Sequence, residues 1–106
     1  MVKHIFWWIF LSIIKSSDVI ELTDQSFDEL VLQSTDLWII DFYSPNCGYC
    51  KQLDIKWDEA ASKTKGKAKF GKVNMLTEKE LQERYEVTTY PQIYIFHEGF
   101  DYGKGK

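Results

Sequence analysis

Both cysteines of the chain lie in the stretch Ser44-Pro-Asn-Cys-Gly-Tyr-Cys-Lys51, three positions apart. Residues at i and i+3 in the first turn of a helix lie on one side of it, so their sulfurs can bond with little backbone movement. Cys47 would also face the free amides and positive dipole end of that helix, which lower a thiol pKa and favour the thiolate. The spacing therefore suits dithiol-disulfide exchange, with Cys47 as the nucleophile and Cys50 as the resolving thiol.

Two other roles for the cysteine pair are weaker alternatives. A structural disulfide across so short a loop would constrain the unfolded chain little, and its contribution to stability would be modest. A tetrahedral zinc site needs further cysteine or histidine ligands, whereas the chain has only His4 and His97. We therefore expect no metal site within one chain. A metal ion or iron-sulfur cluster shared between two chains stays open as an alternative.

The first 17 residues have the composition of a secretory signal peptide. A basic residue, Lys3, precedes an apolar stretch at positions 5–14, and two serines follow at 16 and 17. The apolar stretch is much shorter than the roughly 20 residues that cross a bilayer. We expect residues 1–17 to be removed, leaving a domain at 18–106; an uncleaved signal, the alternative, would attach the protein to a membrane. Passage into the secretory pathway brings the cysteines to a compartment where disulfides persist.

Composition predicts one acidic globular domain. The chain has 106 residues, of which 44% are hydrophobic, and this is enough apolar material for one packed core. Its formal net charge is −3, and loss of Lys3 and Lys15 with the signal peptide leaves 11 basic residues against 16 acidic ones, a charge of −5. Because nucleic-acid binding depends mainly on basic residues that neutralise phosphates, we expect no nucleic-acid partner.

The apolar pattern predicts alternating strands and helices. Strands are expected at 19–22, 37–43, 70–75, 92–96 and 100–103. Helices are expected after Ser26 and after Thr77, each opened by a capping box with a glutamate three residues later, and from Cys47 to about Gly66. This order predicts a central mixed sheet with helices on both faces, closed by a hairpin and without a final helix.

The stretch 38–51, Trp-Ile-Ile-Asp-Phe-Tyr-Ser-Pro-Asn-Cys-Gly-Tyr-Cys-Lys, resembles the strand and active-site motif of thioredoxin-fold domains in the protein disulfide isomerase family. Residues 19–23 resemble the start of such a domain, 71–74 its third strand, and 89–92, Thr-Tyr-Pro-Gln, its cis-proline loop. A Cys-x-x-Cys motif alone is a modest signal, but the strand and the proline loop make it specific. The resemblance implies an α/β thioredoxin fold, here expected to be truncated because its C-terminal helix is missing.

The resemblance also implies which residues carry the reaction. Cys47 and Cys50 would be the redox pair of a thiol-disulfide oxidoreductase that needs no dissociable cofactor. Pro91 would be a cis-proline beside the active site, and Tyr90 would offer backbone hydrogen bonds to an extended substrate. The substrates would be cysteine-containing secretory polypeptides in the lumen of the endoplasmic reticulum. Glutathione or another oxidoreductase would be the redox partner that restores the pair.

An acid and a lysine complete the implied site. Asp41 matches a buried acid that relays a proton for the second cysteine. The residues support this independently, because a carboxyl in an apolar strand has a raised pKa and is a candidate general base or acid toward Cys50. Lys72 corresponds to a lysine that often pairs with this acid. We therefore expect Asp41 and Lys72 beside the cysteines.

Two residues next to the cysteines depart from the family pattern. Asn46 replaces a tryptophan, so a large apolar contact for unfolded substrates is lost, although Asn46 and Tyr49 are both candidate substrate contacts. Tyr49 stands where isomerases usually carry a histidine, and a cationic histidine would stabilise the Cys47 thiolate as a neutral tyrosine cannot. We therefore expect a weaker oxidant than a typical isomerase domain. A redox-inactive substrate-binding or adaptor module is the alternative function.

Overall fold

The computed structural model describes residues 17–104, and within this range five strands form one sheet. The strands are β1 (Val19–Leu22), β2 (Leu37–Tyr43), β3 (Lys69–Asn74), β4 (Gln92–His97) and β5 (Phe100–Lys104). A π-helical segment (Asp28–Leu32) follows β1, α1 (Gly48–Lys63) follows β2, and α2 (Lys79–Arg84) follows β3. Apart from its last residue, the expected signal peptide lies outside the described residues. None of the helices described here has the length and apolar character to cross a membrane.

The strand order is β1-β3-β2-β4-β5, with β2 at the centre. β2 runs parallel to β3 and antiparallel to β4, so the sheet is mixed, as the sequence predicts. Helix α1 is the crossover that joins the parallel neighbours β2 and β3. The β4–β5 hairpin turns at Glu98 and Gly99, which both have a positive φ. The segment that follows β2, which contains both cysteines, therefore begins at the middle of the sheet.

Alternate residues of β2 belong to two hydrophobic cores, one on each face of the sheet. The first core includes the buried β2 residues Trp38, Ile40 and Phe42. It also contains residues of the π-helical segment and α2. Ile39 packs in the second core with Trp57 and Ala61 of α1. Trp57 Nε1 donates a hydrogen bond to the Gly71 carbonyl oxygen at 3.1 Å, which fixes α1 on β3. Helices therefore cover both faces, as expected.

The two predicted capping boxes do not form among the described residues. Ser26 Oγ instead accepts a hydrogen bond from the Thr23 amide at 3.0 Å, and the helical segment that follows is π-helical. The N-terminus of α2 is capped by Asp24, whose Oδ1 accepts from the Leu81 amide, 57 residues away in sequence, at 3.0 Å. Glu78 Oε1 accepts from the Asp24 amide at 2.8 Å. These reciprocal bonds join the loop after β1 to α2 and replace the local caps.

Candidate redox site

The cysteine pair occupies the start of α1, directly after β2. Cys47 is the N-cap residue, and its sulfur accepts a hydrogen bond from the Cys50 amide at 3.0 Å. The two residues form a disulfide, and their Cα atoms are 5.1 Å apart. Cys50 is 2% exposed, whereas Cys47 is partly exposed. Cys47 is therefore the more accessible member of the pair.

The local chain geometry places Cys47 at this helix start. The Cys47 amide donates to the Ser44 carbonyl oxygen at 3.1 Å, which closes a turn through Pro45, and proline favours the second position of such turns. Ser44 itself is buried at the end of the sheet. In the reduced protein, the Cys50 amide and the positive end of the α1 dipole would both favour negative charge on the Cys47 sulfur. The strand, turn and helix together thus favour a thiolate at Cys47.

No metal-binding cluster accompanies the cysteines in the described part of the chain. Within residues 17–104, no group of three or more histidine, cysteine, aspartate and glutamate side chains is placed to hold a metal ion. His97 lies exposed at the end of β4.

Asp41 is a completely buried carboxyl in β2. It alternates with Ile40 and Phe42 of the first core, so its side chain lies on the face that α1 covers. Neither carboxylate oxygen has a hydrogen-bond partner among the described residues. Burial is the main cause that raises the pKa of Asp41, to about 7; the charge of Asp54 adds to this effect and that of Lys72 opposes it. Such a carboxyl can both accept and release a proton near neutral pH.

Lys72 lies opposite Asp41 in the register of β2 and β3, but its ammonium is held by α1. Its Nζ is 3.7 Å from Asp54 Oδ1 and 5.4 Å from the centroid of the Tyr43 ring. The expected ion pair between Lys72 and Asp41 is therefore absent from the described structure. The physical reason is competition: the Asp54 carboxylate, 41% exposed, forms the ion pair with Lys72, and the charge of Lys72 acts on Asp41 without direct contact.

The Tyr90–Pro91 peptide bond is cis, as the resemblance implies. Pro91 lines a shallow, largely apolar groove of about 210 Å³. The other lining residues all come from α1: Tyr49, Gln52, Leu53 and Lys56. Tyr49 is 76% exposed, so much of its ring is free to contact another molecule. The groove lies on the helix that begins at the cysteine pair.

The groove contains two of the four residues that the sequence suggests as substrate contacts. Tyr49 and Pro91 line it together, whereas Asn46 and Tyr90 are exposed outside its lining. Three lining residues of α1 are not among the contacts predicted from the sequence: Gln52, Leu53 and Lys56. Their spacing from Tyr49 is three, four and seven residues, which places all four on one helical face. This periodicity is the signal that could have identified them.

Comparison with known sequences agrees with the resemblance. The family model described as thioredoxin matches residues 18–105. Protein disulfide-isomerase A6 of Homo sapiens is 46% identical over 96 residues, which make up 84% of this chain and 22% of that protein. Protein disulfide isomerase-like 2-3 of Oryza sativa subsp. japonica is 47% identical over 77 residues, 73% of this chain and 18% of that protein. The chain therefore spans about a fifth of the length of these relatives.

Comparison with solved structures identifies the same architecture. The crystal structure of the J-Trx1 fragment of ERdj5 matches with a TM-score of 0.76 and 32% sequence identity. The match covers 84% of this chain and 42% of that one. The expected thioredoxin fold and the resemblance to protein disulfide isomerases are thus confirmed. This chain belongs to the thioredoxin family.

Proposed function

We propose that the chain is a thiol-disulfide oxidoreductase of the protein disulfide isomerase type. The observation that carries this proposal is the difference in environment between two bonded sulfurs. Cys47 is partly exposed at the N-terminus of α1, whereas Cys50 is buried on the helix that covers Asp41. Asp41 lies on the face of the sheet that α1 covers, and because its pKa is about 7 it can accept a proton near neutral pH. A structural disulfide needs neither the exposed sulfur nor the acid.

The proposed reduction of a substrate disulfide proceeds in two exchanges. The Cys47 thiolate attacks one substrate sulfur, a mixed disulfide forms, and the other substrate sulfur leaves as a thiolate. Cys50 then gives its proton to Asp41 and attacks the Cys47 sulfur, which releases the first substrate sulfur. The substrate gains two electrons and the chain is left with the Cys47–Cys50 disulfide. The reverse sequence oxidises a substrate dithiol, and both sequences together rearrange disulfides.

The groove beside Pro91 supports a role in holding the substrate. An extended cysteine-containing polypeptide would contact Tyr49 and Pro91 through apolar groups and the Tyr90 backbone through hydrogen bonds. Asn46 precedes the reactive sulfur and is exposed, so it would offer a polar contact there. Lys72 would act on Asp41, the proton-exchanging group, through its positive charge. Helix α1 and the loop that contains Pro91 would thus orient the substrate sulfur toward Cys47.

The compartment and the redox partner belong to the same proposal. The signal-like composition of residues 1–17 and the named isomerase relatives support work in the lumen of the endoplasmic reticulum on secretory proteins. Glutathione or another oxidoreductase would reset the pair after each cycle. We infer from the absence of a histidine at position 49 that the disulfide is a weaker oxidant than that of a typical isomerase.

Refolding of ribonuclease tests this function. The chain should accelerate the recovery of activity from reduced and from scrambled ribonuclease in a glutathione buffer, because both require disulfide exchange. A double variant, Cys47→Ser with Cys50→Ser, should have no effect beyond that of an inert protein, and circular dichroism should show that it keeps its fold. If the wild type is no faster than the double variant, the oxidoreductase proposal fails and the exposed groove favours a substrate-binding module instead.

A further inference from the structure

Charged residues form a row across the sheet under α1. Glu21 of β1, Lys72 of β3 and Asp41 of β2 occupy matched positions in the strand register. Asp54 adds a carboxylate from α1, and because it follows Cys50 by four residues, both lie on one face of the helix. Lys72 interacts electrostatically with all three carboxylates. The Lys72 ammonium therefore attracts several carboxylates on the face of the sheet that the cysteine-bearing helix covers.

The contacts determine which of these acids holds the ammonium. Glu21 accepts a hydrogen bond from the Tyr43 hydroxyl at 2.9 Å, so that carboxylate already has a partner. Lys72 Nζ forms its ion pair with Asp54, at 3.7 Å, while it lies over the Tyr43 ring. Asp41 has no hydrogen-bond partner among residues 17–104. Asp54 and Asp41 therefore compete for Lys72, and Asp54 holds it.

We propose that Asp54 is a positioning residue that keeps the Lys72 ammonium away from Asp41, so that Asp41 stays able to accept the Cys50 proton. The consequence for catalysis rests on the proposed function. An opposite charge within about 4–6 Å stabilises a carboxylate and lowers its pKa by about one to three units. If Lys72 paired with Asp41, the carboxylate would be stabilised and would become a weaker base near neutral pH.

Charged and ionisable side chains surround Asp41 on several elements. The ionisable groups that accompany Asp41 on β1, β2, β3 and α1 are Glu21, Tyr43, Lys72 and Asp54, whereas Cys50 does not titrate while it is in the disulfide. From β4, its register partner is Ile93, which carries no charge. Burial raises the pKa of Glu21 and of Tyr43, and their mutual hydrogen bond is already formed. Among the charges that act on Asp41, those of Asp54 and Lys72 have larger effects than that of Glu21.

Titration of Asp41 by carboxyl-carbon NMR in the oxidised chain tests the proposal. Asp54→Asn should lower the pKa of Asp41 by about one unit, a tenfold change in its protonation equilibrium, because a like charge is lost and Lys72 is released toward Asp41. Asp54→Glu, which can still hold the ammonium, should cause less than a third of this shift. Glu59→Gln, an exposed position on the same helix, should cause none.

A double-mutant cycle separates positioning from simple repulsion. In a Lys72→Gln background, Asp54→Asn should shift the pKa of Asp41 by less than half as much as in the wild type. An equal shift in both backgrounds would mean that Asp54 acts by its own charge alone, and it would overturn the proposal. If Asp54→Asn shifts the pKa of Asp41 neither in the wild type nor in the Lys72→Gln background, the proposal is overturned as well. These titrations need no turnover, so their outcome is independent of the ribonuclease result.

Discussion

Cys50→Ser is expected to turn the chain into a covalent trap for its substrates. The Cys47 thiolate can still attack a substrate disulfide, but a serine hydroxyl cannot displace the substrate sulfur, so the mixed disulfide accumulates. Cys47→Ser should accumulate almost none, because the remaining thiol is that of the buried Cys50. Turnover should fall by roughly 100-fold or more in both variants, since each lacks a member of a unit that acts together.

The adduct is measured by incubating each reduced variant with scrambled ribonuclease, blocking free thiols by alkylation and weighing the products by mass spectrometry. The double serine variant shows how much adduct arises without any chain cysteine. More adduct on Cys47→Ser than on Cys50→Ser would show that Cys50, and not Cys47, attacks the substrate. Equal amounts would mean that the helix start gives Cys47 no advantage.

Asp41→Asn should change how stability depends on pH. The pKa of Asp41 is about 7 in the folded protein and near 3.8 when unperturbed, so between these values the folded protein binds more protons than the unfolded chain. The contribution of Asp41 to stability is therefore present at low pH and is lost as the pH rises through 7. From pH 5 to pH 8 this loss is about 2.5 kcal/mol, and the asparagine variant should escape it.

Urea unfolding of the oxidised proteins at pH 5 and pH 8 measures this difference. The free energy of unfolding of Asp41→Asn, relative to the wild type, should rise between the two pH values, and any constant cost of burying the amide cancels. Asp36→Asn is a matched control that should show no such change, because hydrogen bonds from Lys69 and Ser34 lower the pKa of Asp36, so this carboxyl is ionised in the folded and the unfolded chain at both pH values. A relative stability of Asp41→Asn that does not change with pH would show that the buried carboxyl keeps an ordinary pKa.

The sequence was sufficient to predict the elements that position the cysteines. An apolar run that precedes the pair predicts a central strand, and β2 is at the centre of the sheet. The helical spacing of Cys50, Leu53 and Trp57 predicts α1, which covers 48–63. These features depend on local periodicity and burial. The cis bond before Pro91 came from family resemblance alone, because only about 5 to 6% of X-Pro bonds in folded proteins are cis.

Long-range partners account for what the sequence could not predict. Ser26 and Thr77 have the local pattern of helix caps, but Asp24 reaches the first turn of α2 from a loop far away in sequence. Lys72 faces two carboxylates that belong to different elements, Asp41 and Asp54, and it forms its ion pair with Asp54. Choices of this kind depend on the assembled chain and its solvent exposure. Residue types alone do not reveal them.

The equilibrium of the Cys47–Cys50 disulfide in graded glutathione and dithiothreitol buffers tests most directly whether these cysteines are a reversible redox pair. Free thiols are counted by alkylation and mass spectrometry. We predict a two-electron transition with a midpoint between about −300 and −180 mV, more reducing than a typical isomerase because position 49 lacks a cationic histidine. A midpoint below about −300 mV, the range of structural disulfides, would contradict the account.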